Sequence, residues 1–216
     1  MTKKIGIIGA TGTAGQAIVK EAVKQGFDTT AIVRNEVKAK DLFENTVSYL
    51  TKDAFELEKS DLQSFDVIVD AFAPSDVKKA YLHIDLATRL ISYFREEERP
   101  RLFFILGAGS LLNGKGKHVL DDLKESPDAA AWIEAPKQQF KEFNFLSEVE
   151  NVDWVGISPG ILFKQGEVQP AKIGKNTILY DAKGKSETSS GTLAKVIVDE
   201  ISNPKHKQER FTAIDA

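Results

Sequence analysis

The sequence predicts an α/β fold, a doubly wound parallel sheet with helices on both faces, and three observations carry that expectation. Short apolar runs rich in Val and Ile alternate with helical patterns along nearly all of the 216 residues. The runs are close to continuously apolar, as strands covered on both faces are, and do not alternate as half-exposed strands do. Gly9-Ala-Thr-Gly-Thr-Ala-Gly15 joins the first apolar run to the first helical pattern, so the chain opens on a glycine-rich strand-to-helix turn.

The elements follow in order. Residues 4–8 are the first strand, and 13–25 form a helix with Ala17, Ile18, Ala22 and Val23 at helical spacing. The chain turns at Gly26 into a second strand over 29–33, then a short helix over 37–43. Residues 47–50 are the third strand, and a helical turn lies near 57–62. The fourth strand is 67–70. A long helix over 82–97 carries its apolar stripe on Leu86, Leu90, Ile91 and Phe94. Residues 102–106 are the fifth strand, 130–145 a helix and 154–157 the sixth strand. A Ser-capped helix covers 192–201, and 210–213 is the last strand. Glycines and lysines cluster over 113–117 and 166–184, which read as loops. With no repeat or linker, residues 1–216 read as one domain, its substrate-side segments near 111–150 and 160–190.

The glycine turn has the form that a dinucleotide pyrophosphate requires, which makes the expected fold Rossmann-type. Gly9 permits the tight turn, and Gly12 keeps a Cβ away from the phosphates. Gly15 lets the helix pack closely on the strand. The backbone of Thr11, Gly12, Thr13 and Ala14 would then lie under the pyrophosphate, at the helix end that carries unpaired N–H groups.

Ligands of an open α/β sheet sit beyond the carboxyl ends of its strands. Arg34 ends the second strand, where an enzyme selecting NAD places an acidic residue. An arginine there pairs with a 2′-phosphate, so NADP(H) is the expected cofactor; the plainer reading is a solvated surface arginine. Asp53 and Ala54 follow the third strand, and as plain chemistry Asp53 also suits the cap of the next turn. Ala71, Phe72 and Ala73 follow the fourth strand, the two alanines small enough for a flat ligand to approach the backbone; Phe72 also reads as a packing residue. Gly107-Ala-Gly-Ser110 follows the fifth strand and Ser158-Pro159-Gly160 the sixth. Either loop also makes sense as structure alone.

Gly-x-x-Gly-x-x-Gly, with Ala31-Ile-Val-Arg34, Asp53-Ala54, Val69-Asp-Ala-Phe-Ala-Pro74, Leu106-Gly-Ala-Gly-Ser110, Asp153-Trp-Val-Gly-Ile-Ser-Pro-Gly160 and Pro204-Lys-His-Lys-Gln-Glu-Arg-Phe211, resembles the atypical short-chain dehydrogenase/reductases. Within them the chain is similar to the nitrogen-regulator-like and NADH-flavin or flavin/biliverdin reductase-like group. The resemblance spans almost the whole chain and implies further roles. Asp53 would lie by the adenine edge, with Ala54 helping to hold it. Gly107 would open the crevice for the nicotinamide, and Ser110 would hydrogen-bond the substrate carbonyl as the catalytic residue. The backbone at Ser158 and Pro159 would border the nicotinamide ring.

Bulk properties exclude several classes. A net charge of −3 argues against binding nucleic acid or anionic membrane by bulk electrostatics. The chain has no cysteine, which removes disulfides, thiolate catalysis and cysteine metal ligands. His83, His118 and His206 are too scattered for a metal cluster. His118 reads as a substrate-anion contact or, more plainly, an exposed loop residue. Trp132, Phe140 and Phe143 read as core or as a wall of the substrate crevice. Met1-Thr-Lys-Lys4 has the charge of a leader, but the apolar stretch behind it breaks at Gly6 and Gly9. A soluble, cytoplasmic protein is expected.

Typical short-chain reductases use a Tyr four residues before a Lys as their proton relay. None of Tyr49, Tyr81, Tyr93 and Tyr180 has Lys at that spacing. Two functions remain open. In one, NADPH reduces a planar conjugated acceptor such as a flavin or quinone, which needs little acid catalysis from the protein. In the other, the protein binds NADP(H) without turnover and reports redox state to a partner.

Overall fold

Residues 2–216 are described by a computed structural model. Its first half runs β1 (Lys4–Ile8), α1 (Thr13–Lys24), β2 (Asp28–Val33), α2 (Glu36–Phe43), β3 (Ser48–Thr51), α3 (Lys59–Leu62), β4 (Val67–Asp70) and α4 (Leu82–Tyr93). The second half runs β5 (Arg101–Ile105), α5 (Val119–Lys124), α6 (Glu134–Ser147), β6 (Trp154–Pro159), β7 (Leu162–Lys164), β8 (Ala171–Gly174), β9 (Glu187–Ser189), α7 (Ser190–Ser202) and β10 (Glu209–Asp215).

The main sheet has the order β3-β2-β1-β4-β5-β6-β10-β8. β1 pairs in parallel with both β2 and β4, Ile7 lying opposite Ala31 on one side and Val69 on the other. The strand order therefore reverses beside β1, which opens a crevice at the carboxyl ends of β1 and β4. Successive side chains go to opposite faces, and each face has its own core. Ile5, Ile7, Val69, Phe103 and Phe211 pack with residues of α1, α2 and α7. Ile8, Ile68, Phe104 and Trp154 pack with α3, α4 and α6 on the other. Burial on both faces is why the strands are nearly all apolar in sequence.

Local chemistry sets the helix starts. Asn35 caps α2 by accepting from the Lys38 N–H at 3.0 Å. Glu58 and Asp61 form a capping box at α3. Ser189 caps α7, accepting from the Thr192 N–H at 3.3 Å.

Three expectations need correcting. The sheet is not wholly parallel: β8 pairs antiparallel with β10 at one edge. β8 lies within 166–184, a region that reads as loop because the strand is short and mostly exposed and so leaves no buried pattern. The long helix expected over 82–97 ends at Tyr93, since Glu96 takes φ 61° and its N–H bonds the Asn151 carbonyl at 2.8 Å. The helix expected from 130 begins at Glu134 after a 3₁₀ turn over Ala129–Ala131. Pro136 fits only the first turn of a helix, which fixes that start. α5 and the small parallel pair β7–β9 have too few residues to show a period.

Candidate functional site

A cleft of about 1010 Å³ runs along the carboxyl ends of the central strands. Its first wall is the turn between β1 and α1. Gly9 takes φ 74°, and a Cβ there would lie 2.6 Å from the Ala71 carbonyl oxygen. Gly12 accepts from the Gln16 N–H at 2.9 Å and begins α1. No side chain caps that end, and its first turn holds no acidic residue. The orphan N–H groups and the positive end of the helix dipole are thus left for an anion. A Cβ on Gly12 would meet only the Gly9 carbonyl oxygen, at 3.3 Å, whereas one on Gly15 would come within 2.3 Å of the same atom. Gly15 therefore serves helix packing and does not line the cleft, while Gly9, Thr11, Gly12, Thr13 and Ala14 do.

Arg34, Asp53 and Ala54 line the next stretch, together with Lys38 and Lys52. The Arg34 side chain is 76% exposed and lies 3.8 Å from the Asp53 carboxylate. Asp53 also accepts from the Phe55 N–H at 2.9 Å, so it caps its turn while facing the cleft. Lys52 is engaged by Asp61 at 2.7 Å. Ala71, Phe72 and Ala73 form the floor, with Phe72 held edge-on between Phe55 and His83.

Gly107 lines the cleft where a Cβ would collide with Gln139 Oε1 at 2.4 Å. Ser110 and Ser158 do not line it. Ser110 is 2% exposed, and both hydroxyls accept from Arg210 Nη1, at 2.9 and 3.1 Å. Ser158 donates in turn to the Gly107 carbonyl at 2.9 Å. The Arg210 guanidinium also reaches Asn176 and sits 4.3 Å from the Phe143 ring centroid. Burial pushes its pKa down to about 10. The arginine thus braces the glycine loop from behind. Pro159 lines the cleft, with Gly160, whose N–H donates to Thr188 at 2.8 Å.

The far wall is legible in the sequence only at Trp132, which reads there as core or as a wall of the substrate crevice. Leu123, Trp132, Pro136, Ile161 and Phe163 line it, from segments far apart in the chain. Phe140 packs 4.6 Å from His118, which in turn bonds the Ser110 carbonyl at 3.1 Å, so neither reaches the cleft. No tyrosine lines the cleft among the described residues. No metal-binding group of three His, Cys, Asp or Glu occurs there either.

Below Phe72 lie buried titratable groups that the sequence did not single out. Asp70 ends β4, and burial lifts its pKa to about 7 although its carboxylate accepts the Phe72 N–H at 3.0 Å. Glu142 of α6 is raised well above the usual range, first by burial and then by the charge of Asp70. His83 lines the cleft, and burial lowers it to about 4.

A family model described as NAD(P)H-binding matches residues 9–204. The chain is 36% identical over 217 residues to the "Uncharacterized protein YwnB" of Bacillus subtilis, covering 98% of both chains. A crystal structure of a Lactobacillus casei protein is 37% identical with a TM-score of 0.91, covering 99% of each chain. A Streptococcus pneumoniae structure named "a putative NADH-flavin reductase" is 31% identical, TM-score 0.88, covering 99% of this chain and 100% of that one. No helix among the described residues is long and apolar enough to cross a membrane.

Proposed function

The chain belongs to the NAD(P)H-binding family, and on that premise we propose that it is an NADPH-dependent oxidoreductase acting on a planar conjugated acceptor. The observation that carries the reading is the continuity of one cleft, from the uncapped start of α1 past Phe72 to the wall at Trp132 and Phe163. A dinucleotide fits the first part, because Gly12 leaves a cradle that a side chain would fill and the helix end offers unpaired donors. The similar Streptococcus pneumoniae protein carries a flavin-reductase name, which agrees with this acceptor class.

Residues 11–14 would hold the pyrophosphate by main-chain N–H groups. Arg34 is free enough in solvent to meet a 2′-phosphate, and Lys38 stands on the same wall to add charge. Ala71 and Ala73 leave room along the floor, and Gly107 and Pro159 border the site where the ring would lie. When bound, the cofactor supplies hydride. Trp132 and Phe163 offer aromatic faces for stacking a flat acceptor. Ser110, turned onto Arg210, contributes by holding its loop in shape.

The test is NADPH consumption with a panel of flavins, quinones and simple carbonyls. Turnover with flavin or quinone and little with carbonyls is expected. Tight NADPH binding with no oxidation by any acceptor would replace this reading with that of a non-catalytic redox sensor.

A further inference from the structure

We propose that Gln139 is the residue that hydrogen-bonds a carbonyl of the acceptor, and that Gly107 lacks a side chain in order to admit it; this rests on the hydride-transfer reading above. Gly107 follows β5 with φ −92° and ψ 161°, an extended backbone that any residue adopts. A glycine here therefore meets a need for space and not for a turn. The three atoms nearest to a Cβ at Gly107 are Oε1, Cδ and Cβ of Gln139, at 2.4, 3.1 and 3.4 Å. One side chain of α6 takes the room that the glycine leaves. The loop itself is held from behind, since the Gly107 carbonyl accepts from the Ser158 hydroxyl at 2.9 Å and Arg210 Nη1 holds that hydroxyl at 3.1 Å. Gln139 thus rests on a braced platform.

The Gln139 side chain is half-buried and lines the cleft, and its carboxamide hydrogen-bonds no described residue. With Oε1 nearest the glycine, the Nε2 donors are left for a molecule in the cleft. Pro136, three residues earlier on α6, lines the same wall, with Trp132 just ahead of the helix. The donors therefore stand where the cleft passes from Gly107 to its aromatic wall. Among the described polar side chains on the cleft, only Gln139 has a glycine cleared for it.

The charge of the cleft lies elsewhere. Its charged lining residues among those described, Arg34, Lys38, Lys52 and Asp53, come from the segments after β2 and β3. Burial lowers His83 to about 4, so that ring is neutral at physiological pH. Recognition at the β5 end must use neutral hydrogen bonds, which suit a ring bearing carbonyl groups and offer no cation to a carboxylate or phosphate. As hydride adds to such a ring, negative charge grows on the carbonyl oxygen. An N–H already bonded to that oxygen steadies the charge, and water supplies the proton.

The experiment uses a soluble, uncharged naphthoquinone and compares the wild type with Gln139→Leu, Gln139→Ala, Gly107→Ala and the double variant of the last two. Four quantities are measured: kcat/KM with saturating NADPH, NADPH affinity, the ligand-free thermal midpoint, and quinone affinity in the NADP⁺ complex. The last is read from quenching of Trp132, which lines the cleft, and needs no turnover. Gln139→Leu keeps the bulk and removes the donors. It should lose about tenfold in kcat/KM and about fivefold in quinone affinity, with NADPH affinity unchanged and the midpoint within about 2 °C. Gly107→Ala pushes the carboxamide aside and should lose a similar factor in kcat/KM. In the Gln139→Ala background the same change should cost nothing further, because the group it displaces is gone.

Unchanged quinone kinetics and affinity in Gln139→Leu would overturn the proposal. So would an equal loss of NADPH affinity, which would put the carboxamide on the cofactor, or a fall in midpoint large enough to account for the lost rate. Losses from Gly107→Ala that persist undiminished in the double variant would overturn the pairing of the two residues. A wild type that binds the quinone through Gln139 without reducing it would overturn the hydride-transfer reading and leave the contact standing. One that neither binds nor reduces it would overturn both.

Discussion

The two ends of the cleft are built from different parts of the polypeptide. The end at Gly9–Ala14 is one contiguous stretch that presents main-chain N–H groups. The end at His83, Leu123, Trp132 and Phe163 is assembled from side chains that the fold brings together across 80 positions of sequence, from 83 to 163. A site made of backbone needs only the right glycines at the right spacing, so it is written locally. One made of side chains is written in the topology, and tolerates changes of chemistry that leave the dinucleotide end untouched.

Within the backbone-built end, two glycines should fail in opposite ways. Gly12→Val places a branched side chain where only the Gly9 carbonyl is near, so the protein should stay folded and lose NADPH affinity by about 10²-fold or more. Fluorescence titration measures the affinity, and circular dichroism the fold. Gly15→Ala drives a Cβ to 2.3 Å from the Gly9 carbonyl oxygen and should cost about 2–3 kcal/mol of stability in denaturant unfolding. If both variants lost binding and stability alike, the division between a phosphate-facing and a packing glycine would be wrong.

Charge on the same end gives the next effect. Arg34→Ala should narrow the preference for NADPH over NADH by at least about tenfold, the worth of a charge-assisted contact of roughly 1.5–3 kcal/mol. Equal binding of the two cofactors by the unmutated protein would remove Arg34 from the 2′-phosphate. The smallest effect is expected behind the cleft. Ser110→Ala removes one acceptor from the buried Arg210 and should lower stability by about 1–2 kcal/mol while NADPH affinity stays the same. A loss of turnover larger than the loss of stability explains would return Ser110 to the reacting atoms.

What was readable in the sequence follows the same division. The β1 turn, Arg34 and Asp53 as separate strand-end residues, and the small residues after β4 were legible as cleft positions, because each lies within a few residues of a strand end that an apolar run announces; the approach of Arg34 to Asp53 was not. Ser110 and Ser158 were found in the right loops. Their orientation was not, because Arg210, which draws both hydroxyls away from the cleft, lies 100 and 52 residues from them in sequence. His83 gave no signal: beside Leu82 and Ile84 it reads as one polar residue in a helix, and only packing of α4 against the floor brings it to the cleft. Asp70 stands in a strand-end motif, but it is buried on the sheet face that α4 and α6 cover, which the local sequence does not reveal. β8 escaped notice because an exposed edge strand has only one neighbour and no buried face to impose a period.

The most direct test of the central claim is anaerobic mixing of the protein with NADPH and a quinone, following nicotinamide absorbance, and its repeat with NADPH deuterated at the transferred position. Hydride passing within this cleft predicts loss of absorbance at a rate dependent on protein concentration, slower with deuterium and abolished by Gly12→Val. Absorbance that does not change, or that falls equally fast with the Gly12→Val protein, would contradict it.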